Sequence, residues 1–253
     1  MDGGNASGMG AGTSILVRMF QSLIAGIDKA LPGQCAVCRA WPARSLCESC
    51  VSRFAQPRPR CPRCALPVGP GIAQCGRCLA DPPPLDACYT AVTYDYPWSA
   101  LIAQYKFHGQ AGWARVFATL MRSTPWVEPT LDDAELVLPM PLARERLAER
   151  GFNQSLQLAR LLAPGDADGT LLLRMRHTSA QAELDRRGRI ANVKGAFALD
   201  PLRADQVRGK RVVLVDDVMT SGASLHAAAR TLRDAGAARV TAVVLARTDE
   251  PGA

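Results

Sequence analysis

Aromatic residues make up only 6% of the 253-residue chain, so its core has to be built from aliphatic side chains. Hydrophobic residues at 48% are enough for a packed interior rich in Ala, Leu and Val. Lysine is scarce beside arginine, and Ala, Arg and Pro are abundant; this looks like a coding bias, so a single surface arginine says little about function. No apolar run is long enough to span a membrane. The nearest approach, residues 14–34, places Ile15, Leu16, Met19, Phe20, Leu23, Ile24 and Ile27 at helical spacing but is interrupted by Arg18 and Asp28. It reads as an amphipathic helix packed on the body of the protein, behind a Gly-rich, polar, disordered stretch at 1–13. No signal peptide with a cleavage site is evident, so the cytoplasm is the expected compartment. There is no GxxxxGK[ST], which argues against a P-loop nucleotide site.

Cysteine is plentiful, and its spacing is regular. Eight of nine cysteines form CxxC pairs: Cys35/Cys38, Cys47/Cys50, Cys61/Cys64 and Cys75/Cys78. A CxxC turn directs two sulfurs at one ion, and two turns complete a tetrahedral thiolate site. Two structural zinc ions are therefore expected. A disulfide framework fits poorly with a chain lacking an export signal, and no strand-to-helix context of the thioredoxin kind surrounds any pair. The short hinge at 54–60, with Pro57 and Pro59, favours sequential pairing of first with second and third with fourth, although a cross-braced arrangement is the alternative. Such a segment has almost no hydrophobic core, so the metal supplies its folding energy. Eight thiolates and two divalent ions would lower the formal charge from +7 to about +3, a weak argument for nucleic-acid binding by itself. Cys88 stands outside the pattern and reads as a buried thiol. The proline run 82–84 is a stiff linker that closes a module spanning 35–84.

From residue 85 to 250 the texture is that of an α/β domain. Residues 89–94, 136–138, 211–215 and 240–245 read as strands, and 98–107, 112–121, 152–162 and 223–235 as helices. Strands separated by helices predict a parallel sheet covered on both faces, and in such sheets ligands bind at the carboxyl ends of the strands. There the chain presents Asp216 and Asp217, expected to emerge just beyond the apolar strand, then Val218, Met219, Thr220, Ser221, Gly222, Ala223 and Ser224 leading into a helix. Small residues at a helix start offer backbone N–H groups to an anion, and the two carboxylates suit vicinal sugar hydroxyls. A phosphorylated sugar is the simplest molecule offering both. The rivals are an ordinary capped helix with two solvated aspartates, and a magnesium-dependent phosphoryl-transfer site.

The two acids followed by TSGAS resemble the PRPP motif of type I phosphoribosyltransferases. More narrowly, the chain from Cys35 onward resembles the ComF/GntX family, a phosphoribosyltransferase-like domain behind a cysteine-rich zinc module. The likeness extends to Tyr105–Gly109 (YKFHG), to Pro139, Met140, Pro141 and Leu142 followed by the run from Arg146 to Ser155, and to Thr178, Gln181, Leu184, Arg189, Asn192 and Phe197. It implies that Asp216 and Asp217 hold ribose hydroxyls and that 218–224 cradles a 5′-phosphate. It also implies a pyrophosphate loop at 139–144, often with an unusual cis peptide, containing Pro141, Leu142 and Arg144, with Arg146 nearby. Residues 178–192 would form a mobile hood carrying Arg186, Arg187 and Arg189, and Lys106 would be a phosphate contact. Residues 150–154 would shape the floor of the site. The implied ligand is Mg2+-bound PRPP, transferred to an unknown acceptor; no residue stands out as a general base. The resemblance equally implies a role in handling single-stranded DNA during natural transformation, alongside DNA-uptake machinery. Arg39, Arg44, Arg53, Arg58, Arg60 and Arg63 would follow the DNA backbone, while Trp41 and Phe54 either stack on bases or fill the small core between knuckles.

Overall fold

The computed structural model describes residues 33–175 and 195–249. The expected N-terminal disorder, most of the 14–34 helix and the hood with Arg186, Arg187 and Arg189 lie outside them. The chain divides into two compact units between Val51 and Ser52.

In the first unit an isolated antiparallel bridge pairs Gly33 with Ala43 and frames the turn from Cys35 to Cys38. Arg39 closes that turn in the left-handed region at φ 63°. Cys50 sits on helix α1, Glu48–Phe54.

The second unit opens with another knuckle. Cys61 N–H donates to the Leu66 carbonyl at 2.8 Å, Ala65 takes φ 56°, and Cys78 lies on the short helix α2, Gly76–Ala80. The α/β portion follows: β1 (Ala87–Thr93), α3 (Trp98–Phe107), α4 (Trp113–Arg122), α5 (Val127–Asp132), β2 (Leu136–Pro139), α6 (Arg144–Arg150), α7 (Gln154–Leu162), β3 (Leu172–Arg174), β4 (Phe197–Leu199), β5 (Arg211–Met219), α8 (Ala223–Asp234) and β6 (Arg239–Arg247). Four strands make a parallel sheet in the order β1-β6-β5-β2, and β3 and β4 form a separate antiparallel pair.

The two central strands are apolar on both faces, as a covered parallel sheet requires. Val212, Leu214, Val240, Ala242 and Val244 share one cluster with Leu225, Ala228, Ala229 and Leu232 of α8, with Phe197 of β4, and with Cys61, Cys64 and Leu66 of the knuckle. The alternate residues Val213, Val215, Val243 and Leu245 are buried too. Strand alternation points them the other way, to the side covered by α4 and α7. There Tyr105 and Phe117 meet edge to face with centroids 5.5 Å apart, which gives the few aromatics a concentrated role.

Strand β5 is longer than its apolar run predicts. The hydrogen-bonded partner β6 extends to Arg247, and the register Asp216↔Val244, Val218↔Ala246 and Met219↔Arg247 carries the strand through both acids. Asp216 and Asp217 therefore sit inside the strand rather than beyond its end. Among the described residues the cis peptide bonds are Trp41–Pro42 and Tyr96–Pro97, so the unusual cis peptide expected at 139–144 is not present.

Candidate functional site

Successive strand residues face opposite ways, and the two acids take different partners as a result. Asp216 Oδ1 accepts from Ser155 Oγ on α7 at 2.8 Å and from the Asp217 N–H at 2.9 Å. Asp217 Oδ1 pairs with Lys106 Nζ of α3 at 2.9 Å. Burial and the neighbouring Asp217 charge push the Asp216 carboxyl up to about 7, against the pull of Ser155 and Lys106. Burial, reinforced by Asp217, also raises Tyr105, whose hydroxyl donates to the Gln154 carbonyl at 3.1 Å and to Gln157 Oε1 at 3.0 Å. The strand thus carries one carboxyl whose pKa is raised toward neutrality and one that is ion-paired.

Beyond Met219 the chain turns through exposed Thr220 and half-buried Ser221 into α8. Ser221 Oγ accepts from the Ala223 N–H at 3.3 Å. Gly222 caps the helix at φ 80°, and a Cβ there would stand 2.5 Å from Met219 Cε and 2.9 Å from His226 Nε2. Glycine is demanded both by the backbone conformation and by the space. Arg247, at the end of β6 and 1% exposed, reaches under this turn. Its guanidinium donates to the carbonyls of Met219 at 3.1 Å and Thr248 at 2.7 Å, and to that of Thr220.

The other predicted residues surround this centre unevenly. Met140 N–H donates to the Val215 carbonyl at 2.9 Å, and Asn153 Nδ2 donates to the Met140 carbonyl at 3.1 Å. These bonds anchor the segment containing half-buried Pro141 and Leu142 beside β5. Arg144 and Arg146 both lie on α6, the first exposed and the second half-buried. Arg150 is stacked over the Phe107 ring at 4.8 Å and donates to Gln154 Oε1 at 3.2 Å. Its Nε, like Gln154 Nε2, is buried without a hydrogen-bond partner. Burial lowers the pKa of Arg150, while the charges of Asp217 and Asp216 support its cationic form. Burial and the neighbouring Arg146 lower the pKa of Arg174 on β3, against the pull of Asp216 and Glu145. Lys106 was expected on a phosphate; it is found on Asp217. In the sequence Ser155 is only one member of the family-like run 146–155, and Arg174 and Arg247 carry no motif that singles them out.

Each cysteine group comes together from successive pairs. The sulfurs of Cys35, Cys38, Cys47 and Cys50 lie within 4.8 Å of one another, and so do those of Cys61, Cys64, Cys75 and Cys78. Both tetrads can hold a metal ion, in the sequential pairing. Sulfur separations of 3.8 Å for Cys35–Cys50 and 3.6 Å for Cys38–Cys47 and Cys64–Cys75 match the roughly 3.8 Å edge of a tetrahedron with 2.3 Å zinc–sulfur bonds. All nine cysteines are free of disulfides. Against the effect of burial, backbone N–H groups of Cys38, Cys47 and Val37 lower the Cys35 thiol to about 6. Those of Cys75, Arg63 and Cys64 similarly lower Cys61 to about 7. Burial raises Cys50 to about 12. An array with thiolates already favoured at some positions and repelled at others is one that a divalent cation completes. Cys88 is apart from both tetrads, and burial raises its thiol to about 12.

Residues 172–252 match the model of the phosphoribosyl transferase domain. The chain is 36% identical to DNA utilization protein YhgH of Salmonella typhi, over 86% of this chain and 98% of that protein. It is 31% identical to competence protein F of Haemophilus influenzae, over 80% and 90% respectively, and 29% identical to competence protein ComFC of Bacillus subtilis, over 82% and 86%. The chain belongs to the ComF family. Its parallel α/β sheet and paired cysteine tetrads are the architecture expected of that family from the sequence. No helix among the described residues is long and apolar enough to cross a membrane.

The arginines of the knuckles separate into two kinds. Arg60 donates to the Ala65 carbonyl at 3.0 Å and to Thr93 Oγ1 at 2.9 Å, and Arg63 to the carbonyls of Asp86 at 3.3 Å and Pro83 at 3.4 Å. Those two serve the fold. Arg39, Arg44, Arg53 and Arg58 are exposed. Trp41 is 64% exposed, so it does not fill a knuckle core, whereas Phe54 is half-buried and packs on Tyr96 at 5.5 Å.

Proposed function

We propose that this protein binds Mg2+-bound PRPP, or another ribose 5-phosphate, at residues 216–224. The observation that carries the reading is the junction of a rigid carboxylate pair with a glycine-capped turn one step further along the chain. Asp216 and Asp217, fixed within β5, would receive the ribose hydroxyls. The turn from Thr220 to Ser224 would receive the 5′-phosphate on backbone N–H groups at the start of α8. Pro141, Leu142, Arg144 and Arg146, together with Arg189, would meet the pyrophosphate. Lys106 would orient Asp217 and lend it a balancing charge. Both carboxylates already have partners in Ser155 and Lys106, so magnesium is assigned to the ligand's phosphates, where it neutralises their charge.

In a transfer reaction the protein would position the sugar and stabilise the departing anion. Asp216, its carboxyl raised toward neutrality by burial and by Asp217, would hold or release a proton at a ribose hydroxyl. Zinc is the ion proposed for the two tetrads, and the cytoplasm is the proposed location. The test is calorimetric titration with PRPP and Mg2+, repeated on Asp217→Asn. Saturable binding lost in the variant supports the site, and equal binding by both proteins refutes it. Pyrophosphate release with a panel of base and amine acceptors then separates turnover from binding alone.

A second reading has its own support. The exposed Trp41, with Arg39 and Arg44 close in the chain, is the arrangement of a single-stranded nucleic-acid contact, and the names of the relatives speak of DNA utilization and competence. Single-stranded DNA affinity measured at two salt concentrations tests it. Binding that weakens with salt and with Trp41→Ala supports it; no binding at low salt rules it out.

A further inference from the structure

The second cysteine tetrad and the turn proposed to bind phosphate are joined by one buried side chain. Arg247 Nε donates to the carbonyl of Cys64 at 3.0 Å, and Cys64 is itself a member of the tetrad Cys61, Cys64, Cys75 and Cys78. The other arm of the guanidinium holds the carbonyls of Met219 and Thr220. A planar fork of this kind transmits position as well as charge, because its donors are fixed relative to one another. The knuckle is also tied to the sheet by the Cys88 N–H, which donates to the Pro62 carbonyl at 2.8 Å, and by Arg60, which spans Ala65 and Thr93. Met219 is braced a second time by the Thr248 N–H, which donates to its carbonyl at 3.1 Å.

We propose that Arg247 is a positioning residue that makes metal occupancy of the second tetrad set the conformation of residues 218–224. With the metal bound, the turn from Cys61 to Cys64 is fixed by its sulfurs, and the Cys64 carbonyl is a stationary anchor for Arg247. Without it, the four sulfurs lose the ion that fixes their mutual positions, and the turn is held only by the packing of Cys61, Cys64, Ala65 and Leu66 on the core and by its few hydrogen bonds. The anchor then moves, and the guanidinium no longer holds the Met219 and Thr220 carbonyls in register beneath the turn. The sheet itself does not depend on this link, because Val212–Val215 and Val240–Leu245 are packed on both faces. A zinc knuckle with no open coordination position thereby acquires a role beyond its own fold. The effect on ligand affinity rests on the ribose-phosphate reading; the effect on the turn does not.

The experiment uses the full-length protein and follows amide hydrogen exchange across 212–224 by mass spectrometry, with metal content measured in parallel. Three variants are compared with wild type. Cys75→Ser removes a partly exposed thiol of the second tetrad, Arg247→Lys keeps the charge but loses the fork, and Cys38→Ser empties the tetrad of the other unit as a control. Cys75→Ser and Arg247→Lys are expected to raise exchange at 218–224 by about tenfold, with 212–215 still protected. Arg247→Lys should retain both metals, which keeps the test decisive even where Cys75→Ser folds poorly. Affinity for PRPP with Mg2+ should fall about tenfold in the same two variants, and Cys38→Ser should match wild type in both readouts. Unchanged exchange at 218–224 in Arg247→Lys, or in a metal-depleted second tetrad, overturns the proposal. Loosened exchange in a protein whose wild type binds no PRPP keeps the coupling and removes the ligand reading instead.

Discussion

Replacing Asp216 with asparagine removes a charge from an enclosed position while preserving the oxygen that Ser155 and the Asp217 amide address. The folded protein holds the Asp216 proton up to about pH 7, whereas the unfolded chain releases it near 3.8. Across that interval the folded state binds more protons than the unfolded one, so stability declines as pH rises. The contribution is complete below the unfolded value and is lost as pH climbs through the folded one. An upward shift of about three units, which already includes the pull of Lys106, is worth at most about 4 kcal/mol; solvent screening at this half-buried residue makes about 2 kcal/mol the working figure. For a chain of this size that amounts to about 4–8 °C in melting temperature. The margin by which Asp216→Asn melts above wild type should open as pH rises from about 4, grow through the interval up to about 7 and level off at that value by pH 8.5, in differential scanning fluorimetry across the range. It should also lose PRPP binding, so the stabilised protein is the inactive one. Parallel pH profiles for the two proteins would refute the placement of the proton on Asp216.

Gly222→Ala forces a Cβ against Met219 and His226 at φ 80°, and should lower stability by about 1–3 kcal/mol in urea melts while abolishing ligand binding. Tyr105→Phe deletes a hydroxyl that serves Gln154 and Gln157; a loss of about 1 kcal/mol is expected from the same melts, with the metal content unchanged. Elemental analysis of the purified protein should give about two zinc ions per chain and about one in Cys38→Ser. Lys106→Met leaves Asp217 without its cation and should weaken PRPP binding by about tenfold or more, read by calorimetry, with little change in fold by circular dichroism.

Periodicity located most of the sheet and its covering helices because each is specified by its own residues. The pattern predicts helix α3 at its observed bounds and β6 within two residues at either end. The extra length of β5 was invisible because it comes from the partner strand: nothing polar in Asp216 and Asp217 announces a strand, and only the ladder to Val244 and Ala246 makes one. The tetrads were legible because metal geometry writes itself into CxxC spacing. Contacts made at long range left no trace. Ser155 meets Asp216 across 61 residues of sequence, and Arg247 meets Cys64 across 183, with no local pattern to mark either. Lys106 was picked out by resemblance, but its partner was set by strand alternation, which turns Asp217 toward α3.

The sheet order has a consequence for how the protein is made. β6 occupies a central slot yet comes last in the described chain, between β1, which pairs Ala87 with Thr241, and β5. On the ribosome the cysteine knuckles emerge early and can bind metal at once, while β1 waits through about 150 residues of synthesis for its neighbour. Until β6 arrives, β1 and β5 expose apolar edges to the cell, and neither Arg247 nor the turn at Thr220 has its final support. A nascent chain stalled before Arg239 therefore lacks both the strand that joins β1 to β5 and the arginine that holds the carbonyls of Met219 and Thr220.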